Sequence, residues 1–370
     1  MADVLDDDPM FEDEPEDSSS REIPPENRVL RTQAYDKAVG DLVNMVVSED
    51  ILLDPDYQRN YVWDNKKASL LVESFLLNVP IPIIYVSEEA DGKWSVVDGL
   101  QRLASLTRYF RDEFKLSGLE VFQELNGVAF SKLPPKAQRT LKNGILRIIV
   151  ILQESHPEIK YDIFQRLNRG AIKLNEQELR NCLYRGPLTT ALRVWRENPL
   201  FLEVFGLKSP HKRFYDAELL LRVLAVAEGF QPHDGGVPAY PNKMKSFLND
   251  FMGRNRNLSP EGIDAAYQCL AGTMERVKKV FGLPAFRRYI PETGQHDTRL
   301  NRALMDAVVA TFWHLSDEQV NKVSEALRKL SMELVVNDKA FADALIYGTS
   351  DKKKLEYRVR AFYNGAMALF

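Results

Sequence analysis

The stretch Val96-Val97-Asp98-Gly99-Leu100-Gln101-Arg102-Leu103 decides how the N-terminal half of this chain is read. An apolar run of β type ends at Asp98. A helical pattern begins at once, with Leu103, Leu106 and Phe110 on one face. Asp98 and Gly99 allow a tight strand-to-helix turn, and Arg102 lies in the first helical turn. N–H groups at a helix start, with a guanidinium beside them, suit an anion and above all a phosphate. Asp98 with Gln101 three residues on also fits a capping box, which accounts for Asp98, Gly99 and Gln101 without any ligand. That leaves Arg102 for function.

Outward from this turn the pattern is α/β. Residues 81–86 and 94–97 read as two strands, joined by the hairpin signal Glu88-Glu89-Ala90-Asp91-Gly92. Residues 38–47, 65–78 and 134–142 read as helices, 51–53 as a short strand, and the aliphatic run 145–152 as a buried central strand. After Pro157 helical patterns dominate, at about 158–168, 175–185, 187–206, 215–229, 241–253, 260–281, 299–315, 317–333, 338–346 and 351–368. The expected class is α+β: an α/β domain over 29–185, then a mostly helical domain over 186–370. Residues 1–28 are acidic and poor in aliphatics, the composition of a disordered tail.

Composition narrows the class further. Of 370 residues, 45% are hydrophobic and 28% charged, as in soluble globular chains. No apolar run of membrane-spanning length is present, and the acidic N-terminus is not a signal peptide. Cys182 and Cys269 form neither a disulfide framework nor a zinc spacing, so a reducing, cytoplasmic setting is expected. The net charge is −4, yet residues 1–20 hold nine Asp or Glu and no Lys or Arg. The remainder carries about +5, enough for a polyanion partner. A tail that serves only solubility fits the same charges.

Two further clusters are polar and rich in arginine. In the first, Asp56-Tyr57-Gln58-Arg59-Asn60-Tyr61-Val62-Trp63, aromatics alternate with groups that can stack a base and contact phosphate. An anchored loop, with Tyr61 and Trp63 buried and Arg59 paired to a carboxylate, explains the cluster without any ligand. In the second, Phe164-Gln165-Arg166-Leu167-Asn168-Arg169-Gly170 ends a helix and Leu174-Asn175-Glu176-Gln177-Glu178-Leu179-Arg180-Asn181 starts another. Gly170 suits a C′ position, and Asn175 with Glu178 forms a capping box. Arg166, Asn168, Arg180 and Asn181 have no such local role. Three Arg-bearing turns in one α/β domain suggest a shared pocket.

Taken in order, Tyr57-Gln58-Arg59 with Trp63, Asp98-Gly99-x-Gln101-Arg102, Arg166-Leu167-Asn168-x-Gly170 and Glu178-Leu179-Arg180-Asn181 resemble the N-terminal domain family of GmrSD-type restriction systems. The resemblance is best over 35–185, and the helical remainder is compatible with short members of the family. It implies a ParB/sulfiredoxin-like nucleotide-binding fold and a role in bacterial or phage DNA restriction and anti-phage defence. Asp98, Gly99, Gln101 and Arg102 fall on the family's Asp-Gly-Gln-Gln-Arg motif, tied to nucleotide binding and hydrolysis. The resemblance thus implies Asp98, Gln101 and Arg102 as catalytic residues. Tyr57, Gln58, Arg59, Trp63, Gly99, Arg102, Arg166, Asn168, Arg180 and Asn181 are the expected nucleotide contacts. The ligand or substrate would be a nucleoside triphosphate, with Mg²⁺ if it is hydrolysed. Leu100 stands where the motif has its first Gln, and Ala104 where a Thr often follows. Binding therefore has firmer support than hydrolysis.

Full-length relatives add a His-Asn-His nuclease domain. The five histidines here are scattered, and the His-acid neighbours His233-Asp234 and His296-Asp297 lack a second His at ligand spacing. No nuclease of that type and no resident metal are expected. The other reading is a non-catalytic DNA-binding or adaptor module acting with a separate nuclease or methyltransferase subunit. Lys208, His211, Lys212, Arg213, Arg287-Arg288 and Lys352-Lys353-Lys354 could meet a nucleic-acid backbone, although each also reads as solvated surface. The apolar stripe over Leu219, Leu220, Val223 and Leu224 reads as helical core.

Overall fold

The computed structural model describes residues 29–53, 63–167, 175–283 and 285–370. The chain divides into two compact units between Leu174 and Asn175. This lies earlier than the division near 185 expected from sequence, because the helix carrying Arg180 and Asn181 is bonded into the helical unit. The acidic tail 1–28 lies outside the described residues. The class is α+β as expected: a small mixed sheet with helices, then a unit dominated by helices. Among the described residues no helix is long and apolar enough to cross a membrane.

The first unit is built on five strands: β1 (Thr32–Ala38), β2 (Ile51–Leu52), β3 (Ile84–Glu88), β4 (Trp94–Asp98) and β5 (Ile145–Ile151). Their order is β1-β5-β3-β4-β2. β1 pairs antiparallel with β5, β5 parallel with β3, β3 antiparallel with β4, and β4 parallel with β2. The hairpin signal at 88–92 thus joins β3 to β4 as read. β5 is interior, but second from the edge rather than central. Its residues alternate between exposed and buried at Ile145, Leu146, Arg147 and Ile148, so this stretch turns one face to the core, while Ile151 at its end is buried on the other face.

Among the described residues five α-helices accompany the sheet: α1 (Val39–Val47), α2 (Asn65–Leu76), α3 (Leu100–Phe110), α4 (Pro135–Asn143) and α5 (Pro157–Leu167). Their apolar stripes and one face of the sheet share a core that includes Leu42, Val72, Ile84, Val86, Leu103 and Ile148. Each such side chain contributes about 1.5–3 kcal/mol by leaving water. The buried face of α3 is Leu103, Leu106 and Tyr109; Phe110, half-buried, packs on the same core by stacking on Phe130 with ring centroids 4.3 Å apart. α2 also buries a charge. Glu73 is 4% exposed, and its carboxylate accepts N–H bonds from Glu120, Val121 and Phe122.

The helical unit begins with α6 (Glu176–Leu183), opened by the expected Asn175–Glu178 capping box. There follow α7 (Pro187–Trp195), α8 (Pro199–Phe205), α9 (Tyr215–Gly229), α10 (Met244–Asn255) and α11 (Pro260–Phe281). A hairpin of β6 (Arg287–Ile290) and β7 (Gln295–Leu300) precedes α12 (Arg302–Phe312), α13 (Asp317–Asn337), α14 (Lys339–Ala344) and α15 (Lys352–Met367). The single helix expected over 187–206 is broken at Pro199. Proline lacks the N–H and clashes with the preceding turn, and Asn198 caps the new helix by accepting from the Leu200 N–H at 2.9 Å. α9 and α12 are buried almost all round, the mark of central helices. Their few charged positions are matched. Asp306, fully buried, receives two bonds from Arg222 at 2.8 and 2.9 Å and one from Arg358 at 2.6 Å.

Candidate nucleotide site at the Asp98–Arg102 turn

β4 ends at Asp98 and α3 starts two residues later. Gly99 makes this possible. Its φ is +97°, a left-handed value that costs glycine little. A Cβ at this position would lie 2.8 Å from Ile84 Cγ1, inside contact distance, so the core behind the turn also demands glycine. The turn sets the first N–H groups of α3 at the end of β4. Such groups have no acceptors within their own helix. The capping box expected of Asp98 and Gln101 does not form: Gly99 is the N-cap, and no side chain caps it.

Asp98 and Gln101 have other partners. The Asp98 carboxylate accepts from Arg102 Nη2 at 2.7 Å, one helical turn on, and its side chain is 42% exposed. Arg102 Nη1 donates to the carbonyls of Pro82 and Ile83. Arg102 therefore ties the 82–83 loop to the start of α3, a structural task that the sequence had left open. The Gln101 side-chain oxygen accepts the Trp63 N–H at 3.3 Å. The Trp63 ring in turn carries the Lys67 ammonium 4.8 Å from its centre. Lys67 is held in place by the N-cap of α2, where Asp64 accepts its N–H at 2.7 Å. The sequence reading missed this cation. Its signal was the Trp63–Lys67 spacing across a helix start.

The structure thus gathers Trp63, Asp98, Gly99, Gln101 and Arg102 at one turn. Tyr57, Gln58, Arg59 and Asn168 lie outside the described residues. Arg166 is exposed in the last turn of α5. The third cluster is divided, since Arg180 and Asn181 belong to the helical unit. Arg180 is fully buried there and bonds Glu218 at 2.8 Å, Asn249 at 2.9 Å, Glu176 at 3.1 Å and Gln177 at 3.2 Å. Asn181 is 3% exposed and accepts from Gln177 at 3.1 Å. Burial pushes the Glu218 carboxyl up, but the Arg180 guanidinium and its cationic neighbours outweigh this and hold it below the usual range. Arg180 and Asn181 therefore have local structural work that the sequence pattern did not reveal.

Among the described residues no group of three or more His, Cys, Asp or Glu could hold a metal ion. No curated protein and no solved structure matches the chain significantly. A family model does match, over residues 39–185, and its description is the N-terminal domain of the GmrSD restriction endonuclease. The match takes in the Asp98–Arg102 turn and the Asn175–Asn181 helix start together. Residues 39–185 of this chain are thus similar to, and consistent with, the GmrSD-type N-terminal domain family.

Proposed function

We propose that this chain is the nucleotide-binding component of a restriction or defence system, with the phosphates held at the Asp98–Arg102 turn. The family match supports the restriction-system part. The observation that carries the nucleotide part is the left-handed Gly99, which starts a helix of eleven residues at the end of a strand. Backbone N–H groups and the positive end of the helix dipole face an incoming anion there. Arg102 is fixed beside them by Asp98 and the loop carbonyls. The ParB/sulfiredoxin-like relation belongs to the same proposal.

The donors at the turn fit a cation that arrives on a triphosphate. Asp98 is a half-exposed carboxylate, and Mg²⁺ commonly takes one or two carboxylates together with substrate phosphates. Asp98 would hold it, and the cation would neutralise phosphate charge. Leu100, in place of the motif's amide, packs against the apolar core. It supplies no polar group, so binding rather than turnover is the primary activity.

Isothermal calorimetry with ATP, GTP, CTP and UTP in Mg²⁺ tests the proposal, comparing wild type with Arg102→Ala. Wild type binds at least one nucleotide, and Arg102→Ala weakens it about tenfold or more, the loss expected for a charge-assisted phosphate contact. Equal heats for the two proteins, or none for wild type, would sink it.

A further inference from the structure

Resting on the nucleotide reading above, we infer that Tyr85 is the platform on which the base of the bound nucleotide stacks. Tyr85 lies on β3 between Ile84 and Val86, both 0% exposed and both in the core. Side chains alternate across a strand, so Tyr85 stands on the opposite face of the sheet. It is half-buried and belongs to neither the core nor its apolar border. Among the described residues its ring meets no other ring and no cation, and its hydroxyl has no hydrogen-bond partner.

Register places this ring beside the phosphate turn. Tyr85 is the direct cross-strand partner of Asp98 on β4 and of Ile149 on β5. Cross-strand partners share a face, with Cα atoms about 4.5–5.5 Å apart. The register shifts between Tyr85 and Val86, next to this pair. Bulges of this kind re-aim side chains and are frequent beside binding sites. A phosphate at the start of α3 therefore has an aromatic face one strand away, with the half-buried Ile149 next to it. That is the spacing a ribose bridges between a phosphate and a base. The other described aromatic at the turn, Trp63, already carries Lys67 on its ring. Stacking on a tyrosine accepts any base, because every base has a π-face.

The probes are inorganic tripolyphosphate and the tightest binder among ATP, GTP, CTP and UTP, titrated by calorimetry into wild type, Tyr85→Leu and Tyr85→Phe of the full chain. Thermal melts confirm that each variant is folded. Tyr85→Leu weakens the nucleotide about 5- to 150-fold, the range for loss of one aromatic–base stack, and leaves tripolyphosphate within about twofold. Tyr85→Phe keeps nucleotide affinity. If Tyr85→Leu binds nucleotide as tightly as wild type, or loses nucleotide and tripolyphosphate equally, the stacking role is overturned while the turn stands. If wild type binds neither probe, the nucleotide reading fails first and Tyr85 with it.

Discussion

The two units secure their buried charges with a different balance of partners. In the sheet-bearing unit Glu73 is held by three backbone N–H groups, and Arg102 donates to two backbone carbonyls as well as to Asp98. In the helical unit Asp306 sits between Arg222 and Arg358, and Glu218 meets Arg180. The reason lies in the backbone. Helices consume most of their own N–H and C=O groups, so a charge among packed helices leans on another charge, with free peptide groups only at helix ends and loops, as where Arg358 also donates to the Ala344 and Thr349 carbonyls. Irregular loops leave peptide groups unspent, and one charged side chain can organise a whole loop. For function the difference is large. On the proposed function Arg102, beside a half-exposed Asp98, would meet a phosphate; Arg180 and Arg222 are buried and already committed to carboxylates within the helical unit.

The comparison is tested most severely at Asp306. Asp306→Ala leaves Arg222 and Arg358 together in a dry interior, and a loss of about 3–5 kcal/mol is expected. Urea denaturation followed by circular dichroism measures it; a loss below about 1 kcal/mol would mean that the pair is solvated rather than dry. Glu73→Gln comes next. It keeps the shape but removes the charge that three N–H groups serve, at a cost of about 1–3 kcal/mol. Burial alone would raise the Glu73 pKa, yet the N–H groups of Phe122, Val121 and Glu120 prevail and hold it below the ordinary glutamate range. Its contribution is therefore complete above the unfolded value of about 4.3 and is lost as pH falls through the lower folded value. Wild type should show this acid step in denaturation midpoints, and Glu73→Gln should lack it. The smallest effect belongs to Arg102→Ala without nucleotide, about 1 kcal/mol, since water can replace its bonds at this partly exposed turn. A loss as large as that at Asp306 would erase the distinction between the two units.

Parts of this architecture were legible because their signals are local. The β3–β4 hairpin, the strand-to-helix turn at Gly99 and the Asn175–Glu178 capping box each follow from residues within a few positions of one another. β1 was not legible. Thr32-Gln33-Ala34-Tyr35-Asp36-Lys37-Ala38 has no apolar run, and its strand state comes from pairing with β5, over a hundred residues away. The β6–β7 hairpin hid for the same reason: Gln295-His296-Asp297-Thr298-Arg299 is polar throughout, and the helix expected from 299 begins only at Arg302. Pro199 was legible and should have divided the helix read over 187–206.

The site shows the same division. Sequence alone determined that Asp98-Gly99-x-Gln101-Arg102 joins a strand to a helix, because alternation, glycine freedom and helical periodicity are short-range. It also carried a resemblance to the GmrSD-type N-terminal domains, read over 35–185, and a family model matches over 39–185. Only the tertiary structure decided which arginines border the turn. Arg102 and Arg180 sit in similar polar surroundings along the chain. Which carbonyls, carboxylates or helices press against a guanidinium depends on segments distant in sequence, and that long-range packing leaves no mark in the local pattern.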